Sequence, residues 1–188
     1  MSKFINFEDL KNIFYDCFNN SNIEKNTIIN ISCLNLKFED DDLFGVQKYI
    51  NNEKYKQIEQ LLKSIRFNKV EYECKEYDYE DKIKLQYNNL TEYYKVHTIN
   101  NYMSNNIIIS EFYNESIEPT QFPNVIKYSK YKKIEFKFNN ITIIFKSYSF
   151  DNYKNYYCEI EINKYYNLNS QFYNIDNILY LIKNIYLI

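Results

Sequence analysis

The segment YYCEIEIN, residues 156–163, sets two glutamates two positions apart inside an otherwise apolar and aromatic run. In a strand alternate side chains share a face, so Glu159 and Glu161 point together, roughly 7 Å apart, while Cys158, Ile160 and Ile162 point the other way. Two carboxylates at that spacing offer hard oxygen ligands to Mg²⁺ or Mn²⁺, ions that usually keep waters of their own. Lysines on a wall facing them would neutralise a polyanion. Together the two sets suit a triphosphate: lysines bind phosphate oxygens, a metal ion bridges the terminal phosphoryl group, and a carboxylate orients water for in-line attack. The plainer alternative is the wet face of an ordinary half-buried strand.

The elements that must hold such residues are mostly strands. After Arg66 the apolar period changes from helical to two and stays so to residue 162. Strands are expected near Lys69 to Lys75, Lys82 to Tyr87, Tyr93 to Ile99, Asn106 to Phe112, Val125 to Tyr131, Lys133 to Phe138, Ile141 to Ser149 and Tyr156 to Ile162. TIINISCLNLKF, residues 27–38, adds a first strand, for about nine in all. In KKIEFKF, Ile134, Phe136 and Phe138 oppose Lys133, Glu135 and Lys137; Glu71, Glu73 and Lys75 share a face in KVEYECK, as Lys95 and His97 do in YYKVHTI. Helices are expected at residues 7–18 with Asn6 as cap, at 51–66, and at 174–188 with Asn174 as cap and Ile175, Ile178, Leu179, Ile182 and Ile185 as the apolar stripe. EDDD, residues 39–42, turns the chain. Either an antiparallel sheet backed by helices, or a closed barrel with charge inside and helices outside, accounts for charged rows opposite apolar rows.

The chain as a whole narrows the choices. Its 188 residues, 45% apolar, suit one substantial core, so a single domain over 1–188 is expected, with 1–26 a helical extension. With 23 basic and 25 acidic residues the formal charge is -2, which argues against non-specific capture of nucleic acid. Cys17, Cys33, Cys74 and Cys158 have no CxxC spacing and His97 stands alone, so a zinc site is not expected; the thiols read as reduced and packed, not nucleophilic. MSKFINFEDLK has no apolar signal segment and no apolar stretch matches a bilayer, so a protein that is neither secreted nor membrane-bound is expected.

VIKYSKYKKIEF, NNITIIFKSYSF, YYCEIEIN and NIDNILYLIKNI, within residues 125–188, together resemble the end of the tunnel-fold RNA 5′-triphosphatases of fungal, protozoal and large DNA virus mRNA capping systems. That family closes an eight-stranded tunnel with a basic strand, a pair of apolar and polar strands, and a Glu-x-Glu strand leading into a helix. The resemblance implies that Glu159 and Glu161 bind Mg²⁺ or Mn²⁺. It places Lys127, Lys130, Lys132 and Lys133 in the basic strand and Lys146 in the next, with Lys133, Lys137 and Lys146 supplying charge to phosphate oxygens and Glu135 facing the same cavity. Family members open with another Glu-x-Glu strand, but CLNLKF has Cys33 and Asn35 where those glutamates would stand. A thiol and a neutral amide do not replace two hard carboxylates. A second match, EYE, makes Glu71 and Glu73 the expected opposing metal pair.

The implied fold is mainly β, of the α+β class: an antiparallel tunnel-like barrel of eight to nine strands with flanking helices, the alternative being an antiparallel sheet packed on helices. The implied activity is metal-dependent removal of the γ-phosphate from RNA 5′-triphosphate ends, and from free NTPs. It would act in the cytoplasm or a viral replication compartment, alongside a capping-enzyme or RNA polymerase subunit. The altered first motif keeps open a non-catalytic tunnel-like RNA-binding or scaffolding subunit, and an unrelated viral protein-interaction module is the third reading.

Overall fold

With one glycine and two prolines in the chain, few residues interrupt an alternating run, and the strands are long. The computed structural model describes residues 7–19, 27–39, 42–80, 83–87, 91–104, 106–118, 124–148, 155–164 and 168–186. In order, the elements are α1 (Phe7–Asn19), β1 (Thr27–Glu39), β2 (Asp42–Gln47), β3 (Tyr49–Asn51), α2 (Asn52–Ser64), β4 (Asn68–Tyr79), β5 (Ile83–Tyr87), β6 (Thr91–Ser104), β7 (Ile107–Ser116), β8 (Val125–Phe138), β9 (Ile141–Tyr148), β10 (Asn155–Asn163) and α3 (Leu168–Tyr186).

Eight strands close on themselves in the order β1, β7, β6, β5, β4, β8, β9, β10 and back to β1, all antiparallel. β2 pairs with the later part of β1, and β3 with the start of β10. Closure is made by β1, whose residues Ile28 to Ser32 pair with β10 on one side while Thr27 to Cys33 pair with β7 on the other. A barrel of eight strands encloses a space that side chains fill or that one small ligand occupies. The open-sheet alternative is thereby set aside.

Several boundaries differ from the sequence reading. The two expected strands at Val125 to Tyr131 and Lys133 to Phe138 are one, β8, because nothing at Lys132 turns the chain and β4 pairs alongside without a shift from Asn68 opposite Lys137 to Asp78 opposite Lys127. α3 begins at Leu168, so Asn174 lies inside the helix and does not cap it. The Asn6 cap and Asp40 and Asp41 of the expected turn lie outside the described residues. At α2 the cap is Asn51, whose side chain accepts from the Lys54 amide at 2.9 Å.

The hydrophobic core lies outside the barrel. Leu10 and Phe14 of α1, Ile58 and Leu62 of α2, and Ile178 and Ile182 of α3 are buried with Ile29, Ile109, Phe145 and Ile160 from the outward faces of the strands. Burying such a side chain contributes about 1.5–3 kcal/mol, so the apolar faces of β1, β7, β8, β9 and β10 go to the helices. The opposite, polar face is thereby turned into the barrel.

Lysines fasten two helices at their ends. The Lys164 ammonium donates to the Cys17 carbonyl in the last turn of α1 and pairs with the Glu111 carboxylate of β7, all buried. Lys48 donates to the Tyr186 carbonyl at the end of α3 (2.8 Å), and the Tyr186 hydroxyl lies 3.1 Å from the Ile31 carbonyl and 2.9 Å from that of Cys158. A cation at a helix C-terminus meets the negative end of the dipole. The four cysteines are free and buried; burial pushes the Cys17 thiol up to about 12 and raises Cys33 and Cys158 as well. No described helix is long and apolar enough to cross a membrane.

Candidate active site in the barrel lumen

On β10 the alternation turns Cys158, Ile160 and Ile162 to the outer core, and Glu159 and Glu161 line the lumen. Residues directly opposed in an antiparallel pair share a face. On β1, Ser32 stands opposite Glu159 and Asn30 opposite Glu161. The first-motif assignment is therefore corrected: Asn30 and Ser32, not Cys33 and Asn35, face the acidic pair. Cys33 belongs to the outer core, and Asn35 lies past the β10 ladder, in the stretch of β1 paired with β2. The Asn30 amide donates to Glu159 Oε2 (3.3 Å) and to Glu161 Oε1 (3.4 Å).

The next two strands bring the lysines. Lys146 of β9 lies directly opposite Lys133 of β8. Lys146 Nζ is 3.1 Å from both oxygens of Glu159, and Lys133 Nζ is 2.8 Å from Glu135. Glu135 also receives Lys137 (2.7 Å) and the Tyr72 hydroxyl (2.7 Å). Lys133 and Lys146 each lie 5.7 Å from the centre of a tyrosine ring, Lys133 over Tyr72 and Lys146 over Tyr131.

These environments split the carboxylates. Burial pushes Glu135 up, but Lys133, Lys137 and Tyr72 outweigh it and hold the group at about 2. Glu159 is likewise raised by burial and brought below its usual range by Lys146, with help from Asn30 and Gln47. Burial and then the neighbouring Glu159 charge raise Glu161, outweighing the opposite pull of Lys133, Lys146 and Asn30.

β4 supplies the facing wall. With Tyr72 opposite Lys133 and Cys74 opposite Tyr131, its inward residues are Tyr72, Cys74, Glu76 and Asp78. Glu71 and Glu73 therefore face outward, which corrects the expected opposing metal pair. Glu71 pairs on the outside with Lys132 and, at 3.2 Å, with Lys69, while Glu73 stands opposite Lys132. Lys84 of β5 sits between Glu76 (3.3 Å) and Asp78 (3.0 Å), and the Tyr131 hydroxyl donates to Glu76 at 3.1 Å. The Glu-x-Asp spacing of residues 76–78 is visible in KEYDY, but both faces of β4 are polar, so alternation does not show which acids go in.

The phase of β8 is settled by the same register. Lys133, Glu135 and Lys137 share the inward face, with Lys137 exposed near the strand end; Lys127 shares that phase but is exposed opposite Asp78, and Lys130 and Lys132 are on the outer face. His97 is outside too, 2.7 Å from Glu115 and stacked on Tyr113. The lumen itself is a cavity of about 900 Å³, lined among others by Asn30, Glu76, Lys84, Glu92, Lys133, Lys146, Glu159 and Glu161.

No protein-family model matches the chain, and no curated protein matches it by sequence. Solved structures do match in shape. The RNA triphosphatase Pct1 of S. pombe superposes with a TM-score of 0.59 at 14% identity, covering 98% of this chain and 90% of that one. The same enzyme in complex with the Spt5 CTD gives 0.60 at 11%, with the same coverage. The RNA triphosphatase domain of the mimivirus mRNA capping enzyme gives 0.51 at 13%, covering 94% of this chain and 97% of that one. This chain has the RNA triphosphatase tunnel fold. At these identities the likeness is one of architecture.

The Mg²⁺ or Mn²⁺ implied by the tunnel fold can be tested against the donors present. Among the described residues no group of three or more His, Cys, Asp and Glu side chains converges. Mg²⁺, however, is commonly held by one or two carboxylates together with substrate phosphates and water, without a cage made wholly of protein. Glu159 and Glu161 supply those two carboxylates on one stretch of the tunnel wall, and a half-turn of the Asn30 amide, which here donates to both, would exchange its NH2 for an oxygen. The donors fit an ion shared with a phosphate.

Proposed function

We propose that the tunnel binds the 5′-triphosphate end of an RNA and hydrolyses its γ-phosphate with Mg²⁺ or Mn²⁺, a step of mRNA capping. The observation that carries this reading is the pair Lys133 and Lys146, in register across β8 and β9, beside Glu159 and Glu161 in the lumen of the barrel. The two ammonium groups bind phosphate oxygens as point charges. Glu159, Glu161 and Asn30 hold the metal, which when bound neutralises charge on the terminal phosphoryl group. Lys84, Glu76 and Tyr131 form a separate hydrogen-bonded wall that fixes the shape of the lumen. The barrel limits solvent around the phosphates, which strengthens every charge interaction inside it. Free NTPs present the same triphosphate and are taken by the same residues.

A second reading is favoured by one specific feature. β1 offers Asn30 and Ser32, both neutral, opposite the acidic pair. A tunnel with that substitution binds triphosphate ends without hydrolysing them, as a subunit beside a capping enzyme or RNA polymerase.

The deciding experiment is release of phosphate from γ-labelled triphosphate RNA by wild type and Glu161→Gln, with Mg²⁺, with Mn²⁺ and with chelator. Metal-dependent release by wild type, reduced on the order of 100-fold in the variant, is the expected result. Equal release by both proteins rejects the metal role of Glu161. Absence of release with intact binding of triphosphate RNA establishes the second reading.

A further inference from the structure

We propose that Lys146 guards the metal-binding carboxylate Glu159 and is drawn off it by bound phosphate, so that triphosphate and divalent cation bind cooperatively. This rests on the tunnel being a triphosphate site. An ionised carboxylate has about four lone-pair positions. On Glu159 all are engaged: Lys146 lies 3.1 Å from each oxygen, Gln47 donates to Oε1 at 3.3 Å, and Asn30 donates to Oε2 at 3.3 Å. Glu161, by contrast, accepts from Asn30 alone among the described residues. A cation entering the empty tunnel thus meets one open carboxylate and one already occupied by a positive charge.

Gln47 and Asn30 are neutral amides, and each presents an oxygen after a half-turn. Lys146 is the barrier, since its ammonium has no acceptor to offer and repels the incoming ion. A phosphate between Lys146 and the opposing Lys133 offers the ammonium charge-assisted hydrogen bonds of the same kind it has with Glu159. The ammonium then moves to the phosphate, and both Glu159 oxygens open toward the metal. Because coupling of two binding free energies is reciprocal, phosphate tightens the cation by the same factor as the cation tightens phosphate.

The test is Mn²⁺ binding followed by the electron paramagnetic resonance signal of the free ion, without substrate or turnover. Lys146→Met is expected to bind Mn²⁺ about tenfold more tightly than wild type, and Lys146→Arg, which keeps the charge, to stay weak. Sulfate, a phosphate mimic that complexes Mn²⁺ only weakly in solution, is expected to tighten Mn²⁺ on wild type about tenfold and to have no effect on Lys146→Met. Equal Mn²⁺ affinity in wild type and Lys146→Met, or a sulfate effect that survives in the variant, overturns the proposal. Should Lys146→Met fail to fold, Lys146→Gln carries the same comparison. Binding of triphosphate RNA to wild type is measured in parallel: RNA binding with uncoupled Mn²⁺ sinks the guard alone, whereas loss of both removes the triphosphate site with it.

Discussion

Lys133 and Lys146 stand directly opposite each other on neighbouring strands, both turned into the tunnel, and each is held by its own carboxylate, Glu135 at 2.8 Å and Glu159 at 3.1 Å. Like charges directly across a strand pair destabilise a sheet. A polyanion placed between them removes that repulsion. Tripolyphosphate is therefore expected to bind the tunnel, and Lys133→Met to weaken it about 10- to 100-fold, the loss that one or two charged hydrogen bonds account for. Isothermal titration calorimetry decides it, and undiminished affinity in the variant would remove Lys133 from the phosphate site.

The inward and outward acids of β4 give a contrast within one strand. Glu71→Gln breaks only surface pairs with Lys69 and Lys132, and is expected to cost no more than about 1 kcal/mol and to leave phosphate release at the wild-type level. Glu76→Gln takes the charged partner from Lys84 and leaves a single oxygen to serve both Lys84 and the Tyr131 hydroxyl inside the lumen, and is expected to cost about 1–3 kcal/mol. Urea unfolding of the two variants measures the difference. A larger loss for Glu71→Gln would mean that the strand faces the other way.

Acid should weaken the protein partly through Glu135. Burial opposes its ionisation, yet Lys133, Lys137 and Tyr72 bring it down to about 2, below the unfolded value of about 4.3. A depressed carboxylate contributes its stabilisation in full above the unfolded value and loses it as pH falls toward the folded one. The stability gap between wild type and Glu135→Gln, on the order of 2–3 kcal/mol at neutral pH, is therefore expected to shrink between about pH 5 and pH 2. Denaturant titrations across that range test it; a gap that widens in acid would contradict the ion triad.

The buried pair of Lys164 and Glu111 fastens α1 to the barrel. Removing one partner strands the other charge away from water, so Lys164→Met is expected to cost about 3–5 kcal/mol. Lys164→Met combined with Glu111→Leu should recover part of that loss. Thermal and urea unfolding of the three proteins would show it, and additive losses would mean that the pair is not coupled.

Much of the barrel is legible from the order of residues. Alternation in KKIEFKF and YYCEIEIN determines that Lys133, Glu135 and Lys137 share one face and Glu159 and Glu161 another, because side chains on a strand alternate whatever surrounds it. The apolar stripe of Ile175, Ile178 and Ile182 likewise marks a covering helix, since such a stripe is stable only when buried. The merged strand β8 was less visible, because Tyr131, Lys132 and Lys133 interrupt the apolar pattern without turning the chain.

Which residues meet across the lumen depended on tertiary structure. Glu71 and Glu73 have the same spacing as Glu159 and Glu161, and nothing local distinguishes an acid on the outside of β4 from Glu76 and Asp78 within. Likewise Cys33 and Asn35 occupy the expected place along β1, but the ladder that closes the barrel sets Asn30 and Ser32 against the acidic pair. A one-residue change of register exchanges the faces of a strand, and register here is fixed by partners far away in sequence and by the helices that bury one face of the wall. Periodicity within a segment therefore determines which side chains travel together, while only closure of the barrel decides which of them face one another.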